Sequence, residues 1–117
     1  MSEPVVIYHN PRCSKSRQTL QLLEARGIQP KIVDYLQTPP SQAEIKRLLK
    51  LLDIEPRALM RTKEPEYKAA GLDNPKLKQA DLIRALHEHP KLIERPIVVA
   101  NGKAALGRPP EQILEIL

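Results

Sequence analysis

Polar and apolar positions along the chain fall into short blocks whose spacing changes from one block to the next. Val5-Val6-Ile7-Tyr8 is a continuous apolar run, the pattern of a strand covered on both faces, and Asn10-Pro11 ends it. From Ser14 to Arg26, Leu20 and Leu23 lie at helical spacing with Ile28 a turn later, and Gly27 supplies the stop. Lys31-Ile32-Val33-Asp34-Tyr35 predicts a second short strand, so the chain opens with a parallel βαβ unit. Thr38-Pro39-Pro40 is a stiff connector. Ser41 and Glu44 form a capping-box pattern, and Ile45, Leu48, Leu49 and Leu52 follow as an apolar stripe at helix period. Pro56 predicts the start of a short helix reaching Met60. Another spans Glu66 to Ala70 and stops at Gly71. A longer one spans Gln79 to His87, with Leu82, Ile83 and Leu86 inward and Pro90 past its end. Ile97-Val98-Val99-Ala100 is a strand, Asn101-Gly102 has the signature of a type I′ turn, and Lys103 to Leu106 is the return strand. Pro109 to Leu117 predicts a closing helix with Ile113, Leu114 and Leu117 on its apolar face.

This order of βαβ unit, helices, β-hairpin and final helix predicts an α/β fold of thioredoxin-like type. The middle helices form an insertion between the N-terminal βαβ unit and the C-terminal hairpin plus helix. A length of 117 residues fits a single domain over 1–117. No repeat, low-complexity tract or interdomain linker interrupts it. Tyr8, Tyr35 and Tyr67 are the only aromatics, so Leu, Ile, Val and Ala must build the core.

The single cysteine excludes an intramolecular disulfide and any cysteine-rich metal site, and no metal is expected. A free thiol belongs in a reducing compartment. MSEPVVIYH lacks the charged and apolar regions of a signal peptide, and no apolar run approaches the ~20 residues of a membrane span. The expected setting is cytoplasmic, without a membrane partner. The net charge of +5 favours anionic partners. The basic residues are dispersed and aromatics for base stacking are scarce, so nucleic acid is not an expected partner.

Cys13 carries the chemistry. It lies between the first strand and the first helix, beyond a strand's carboxyl end, where ligand sites of α/β sheets gather. The first N–H groups of a helix lack internal partners, and with the helix dipole they favour an anion. A thiol placed there is acidified towards its nucleophilic thiolate form. Arg12, Lys15 and Arg17 add positive charge. The plainer alternative, a small buried cysteine acting as an apolar filler, sits poorly with neighbours that are polar on every side. Ser16 stands where a C-x-x-C motif needs its second cysteine, and Thr19 stands where a phosphatase-type loop needs arginine. Without a second cysteine, an oxidised intermediate must be resolved by an outside thiol.

Tyr8-His9-Asn10-Pro11-Arg12-Cys13-Ser14-Lys15-Ser16-Arg17 resembles the active-site segment of the glutaredoxin-coupled arsenate reductases, the ArsC family. The resemblance continues through Tyr35-Leu36-Gln37-Thr38-Pro39-Pro40 and Arg57-Ala58-Leu59-Met60-Arg61. It resumes at Leu92-Ile93-Glu94-Arg95-Pro96-Ile97-Val98-Val99 and at Gly107-Arg108-Pro109-Pro110-Glu111. It implies reduction of arsenate to arsenite. The cysteine attacks arsenic, glutathione attacks the adduct, and glutaredoxin completes the reduction, with no bound cofactor. By motif position Arg61, Arg95 and Arg108 would hold the oxyanion, and His9 and Ser16 would support the thiolate. Pro96 matches a cis-proline facing the nucleophile, and Asn10 and Arg17 would shape the site. The length resembles the short chromosomal form of the family, and Ser14-Lys15 replaces the Gly-Thr pair of its best-known members. Arginine suits the task, because its planar fork grips two oxygens of a doubly charged tetrahedral anion at once.

Two other functions fit the same residues. One is a glutathione-dependent thiol reductase acting on a different substrate. The other is a binding module like the Spx-type regulators, although Ser16 removes the C-x-x-C switch typical of those proteins. His87 and His89 read as exposed helix-end residues, and Tyr67 as packing.

Overall fold

A computed structural model describes residues 4–117, which form two compact units. One joins the chain up to Thr38 with Arg95–Leu117; the other is Pro39–Glu94.

The first unit is built on a four-stranded sheet. Its strands are β1 (Val6–His9), β2 (Lys31–Asp34), β3 (Ile97–Ala100) and β4 (Lys103–Leu106), in the spatial order β2-β1-β3-β4. β1 and β2 are parallel, with Val6 opposite Lys31 and His9 opposite Asp34. β3 runs antiparallel to β1, and β4 antiparallel to β3. Asn101 and Gly102 both take positive φ, 55° and 71°, as the tight hairpin requires. The crossover from β1 to β2 is helix α1 (Ser14–Ala25). Ile7, Leu23, Val98, Ala100, Ile113 and Ile116 form the buried core of this unit.

Helix α1 departs from its expected inward face. Its buried residues are Ser16, Thr19 and Leu23, which share one face at i, i+3 and i+7, whereas Leu20 is only partly buried. The chain ends in a 3₁₀ helix over Pro110–Ile116, shorter in period than the α-helix that the pattern predicts. Pro109 and Pro110 offer no N–H to its first turn. A period of three aligns Pro110, Ile113 and Ile116, and these are the buried positions. Leu114 and Leu117, expected inward, pack against the core only in part. Asn101 fastens this segment by donating from Nδ2 to the Ile116 carbonyl at 2.9 Å.

The second unit holds α2 (Gln42–Leu52), α3 (Pro65–Ala69) and α4 (Gln79–Glu88), with 3₁₀ turns at Pro56–Leu59 and Pro90–Leu92. It is the segment expected as the helical insertion. α2 packs on α4, and Ile45, Leu48 and Leu49 are buried on the one, Leu82, Ile83 and Leu86 on the other. Ser41 caps α2 by accepting from the Glu44 N–H at 3.1 Å, and Asp53 closes it in the left-handed conformation. Arg57 spans the loop beyond α3, donating to the Tyr67 hydroxyl and to the Leu72 and Asn74 carbonyls. His87 is half-buried rather than exposed, its Nδ1 2.8 Å from the Pro40 carbonyl oxygen. Among the described residues, no helix is long and apolar enough to cross a membrane.

Candidate active site

Cys13 is the N-cap residue of α1, with extended backbone angles (φ −94°, ψ 123°). A tight turn delivers it there. The Cys13 N–H donates to the Asn10 carbonyl at 3.0 Å, and the Arg12 N–H donates to Asn10 Oδ1 at 3.0 Å. Arg17 reaches back from the helix to the Pro11 carbonyl at 3.0 Å. Asn10 and Arg17 therefore brace the turn from both sides. No acidic residue occupies the first turn of α1, so nothing competes for its positive end.

The sulfur is half-buried. Burial alone pushes the thiol pKa up. The Ser16 backbone N–H, the Arg95 guanidinium and the Lys15 N–H together outweigh it, and the thiol is held below its ordinary value. Arg95 enters this unit from the other end of the chain, immediately before β3. Its peptide bond to Pro96 is cis. Arg108 lies beside it and donates to the Arg95 carbonyl at 3.2 Å.

Beneath the turn is a buried polar knot. Ser16 is fully buried, and its Oγ accepts the Asn10 N–H at 3.0 Å while lying 2.6 Å from His9 Nδ1. His9 is 7 % exposed. Burial lowers its pKa, Asp34 opposes that, and Arg17 adds to it, so the ring favours its neutral form.

The nine residues singled out from sequence thus divide. Cys13, His9, Asn10, Ser16, Arg17, Arg95, Pro96 and Arg108 belong to the sheet unit. Arg61 belongs to the helical unit, where its backbone N–H donates to the Leu92 carbonyl at 2.7 Å and its Nε pairs with Glu64 at 3.3 Å.

Three further residues matter that the sequence reading did not single out as site residues. Gly107 donates its N–H to the Pro96 carbonyl at 2.9 Å. A Cβ on it would lie 2.4 Å from Thr19 Oγ1 and 2.8 Å from Pro96 Cγ. Thr19 is fully buried and hydrogen-bonds the Lys15 carbonyl at 2.8 Å. Tyr35, expected as the last residue of a strand, lies just past β2 and is 1 % exposed, with its hydroxyl near Arg95 and Asn10. The available signals were a glycine directly after a strand and a tyrosine at a strand's carboxyl end. Neither is specific without the fold. Among the described residues no group of His, Cys, Asp and Glu is arranged to hold a metal ion. A hollow of about 490 Å³ in the helical unit is lined by Lys46, Lys50, Asp53 and Glu55 among others, and by none of the site candidates.

A thiol at a helix N-terminus, with arginine against the sulfur, on a sheet of this order defines a thioredoxin-like protein with a one-cysteine site. The pattern of the ArsC family matches residues 8–116, and the chain belongs to that family. It is similar to the arsenate reductase of Haemophilus influenzae, 56% identical over 114 residues, with 97% of this chain and 98% of that protein covered. The arsenate reductase of Neisseria meningitidis serogroup A is 54% identical, with 97% of each covered. The solved structure of an arsenate reductase from Vibrio cholerae superimposes with a TM-score of 0.96 at 58% identity, covering 100% of both chains.

Proposed function

We propose that the protein reduces arsenate to arsenite at Cys13, drawing its electrons from glutathione and glutaredoxin. The observation that carries this reading is the acidified Cys13 sulfur facing the Arg95 guanidinium, with Arg108 bonded to the Arg95 carbonyl. A thiolate and arsenate are both anions, and positive charge with fixed donors at one point lets them meet. Similarity to relatives named as arsenate reductases supports the substrate.

In the first step the Cys13 thiolate bonds to arsenic, and one arsenate oxygen, after protonation, leaves as water. Arg95 and Arg108 bind the remaining oxygens. A glutathione thiol then bonds to the arsenic, and a second oxygen, protonated, leaves as water. A glutaredoxin thiolate takes the glutathione sulfur from it, so that two thiols become one mixed disulfide. Arsenic accepts the two electrons and passes from pentavalent to trivalent; water then displaces the Cys13 sulfur from it, and arsenite leaves with the thiol restored. His9, Asn10 and Ser16 hold the turn that aims the sulfur. Arg17 and Pro96 position its two walls. No bound cofactor is needed, since the external thiols supply every electron. A reducing, cytoplasmic setting fits this dependence.

The test is arsenite formation by purified protein with arsenate, glutathione, glutaredoxin and a coupled NADPH readout, beside Cys13→Ser. Turnover that needs both Cys13 and glutaredoxin is expected. Turnover that persists in the serine variant would sink the reading. An inactive protein with a still acidic Cys13 would redirect it to a thiol reductase with another substrate.

A further inference from the structure

β1 and β2 run side by side in the same direction, and their last paired residues are His9 and Asp34. The residues that follow, Asn10 and Tyr35, leave the sheet together at its carboxyl end. Asn10 starts the turn that carries Cys13. Tyr35 puts a large phenol ring at the same end, and only 1 % of it is exposed.

Buried phenols normally satisfy their hydroxyl group. That of Tyr35 has no hydrogen-bond partner among the described residues, and neither has the buried Nε of Arg95. The two groups are neighbours. Burial raises the Tyr35 pKa, while Arg95 and then Asn10 pull it back without prevailing. The phenol is therefore a neutral O–H donor at physiological pH. The charge of the Cys13 thiolate also raises that pKa slightly, so the sulfur lies within electrostatic range of the phenol. The Tyr35 hydroxyl and the Arg95 Nε–H are thus two donors without a partner at the nucleophile's end of the sheet, one from β2's end and one from the start of β3. Arg95 spends its carbonyl on Arg108 but not its Nε–H.

We propose that the Tyr35 hydroxyl is a substrate contact of this site, donating to an oxyanion oxygen alongside the Arg95 Nε–H. The inference rests on the arsenate reading above. It adds a neutral donor to a cationic site, and so orients one oxygen without adding charge near the thiolate. An arginine there would bind the anion more tightly but would also hold back the sulfur's electrons.

Tyr35→Phe removes one oxygen and keeps the ring in place. An unpartnered hydroxyl contributes nothing to the fold, so the thermal midpoint of the variant should equal or exceed that of the parent. Cys13 alkylation without arsenate should keep its pH profile. The arsenate concentration that half-protects Cys13 from alkylation should rise roughly tenfold, with a matching rise in KM and little change in kcat. Undiminished protection in the variant, beside protection in the parent, overturns the Tyr35 contact alone. So does a lowered midpoint with unchanged arsenate binding, which would assign the hydroxyl to packing. No protection of the parent by arsenate overturns the arsenate reading itself, and the contact with it.

Discussion

His9 Nδ1 lies 2.6 Å from the Oγ of Ser16, so the last residue of β1 is tied to the first turn of α1. The Ser16 oxygen already accepts the Asn10 N–H at 3.0 Å. The hydroxyl thus bonds the turn's backbone and the imidazole at once, with one proton and two lone pairs to share between them. Burial of the ring favours its neutral form. Everything between these two residues, including Cys13, is a loop closed at its base by one buried hydroxyl.

Ser16→Ala should therefore cost more than an average surface change. It strands the Asn10 N–H and the His9 ring, both in buried residues. A loss of about 1–3 kcal/mol in denaturant unfolding is expected. The Cys13 alkylation rate near neutral pH should fall, because the turn that aims the helix N–H groups at the sulfur loosens. Unchanged stability would show that the hydroxyl is not the clasp.

The acidity of Cys13 depends on Arg95, which contributes both a hydrogen bond and charge. In Arg95→Leu the pH midpoint of alkylation should move up, towards 9.0, the ordinary thiol value, and the arsenate requirement should rise strongly. The same shift has a stability consequence. Between the lowered folded pKa and 9.0 the unfolded chain carries the thiol proton and the folded chain does not. Stability contributed by this group is thus fully present above 9.0 and is lost as pH falls through the folded value. Cys13→Ser should flatten that part of the stability–pH curve, which urea titrations across the range would show.

Gly107→Ala should disturb the site without touching any reacting group. The added methyl meets Thr19 on α1 and Pro96 before β3 at distances that force movement, and both neighbours are buried. Overpacking of this kind costs about 1–3 kcal/mol. The expected result is a lower thermal midpoint together with slower turnover, since Arg95 adjoins one displaced residue. A variant as stable and active as the parent would mean that the neighbours yield freely.

Arg57 offers a control among the arginines. Its guanidinium is committed to Tyr67, Leu72 and Asn74, all within the helical unit. Arg57→Leu should destabilise the protein by about 1.5–3 kcal/mol, as expected when a charged donor is lost. The pH profile of Cys13 alkylation should stay where it is. A shifted profile would contradict a purely structural role.

The hydrophobic pattern by itself determined most of the backbone. Each strand is a short apolar run, and each helix carries a cap, a stripe or a stop that acts locally. Asn101-Gly102 needs only its own torsions to make a hairpin. Cys13 at a strand-to-helix turn was legible for the same reason, since a helix start is a local feature. The terminal segment was less legible, because it winds with a period of three rather than 3.6 and so turns a different face inward. Tertiary structure alone decided which polar residues are buried. Ser16 and Thr19 look like surface positions of a helix until His9, Pro96 and Gly107 close over them. Tyr35 looks like a strand residue until Arg95, about sixty positions away in the chain, is brought beside it. Local sequence encodes torsions and amphipathic faces. Which unlike groups share a desolvated volume depends on chain segments far apart in sequence, and that volume is where the thiol is acidified and the donors are left unspent.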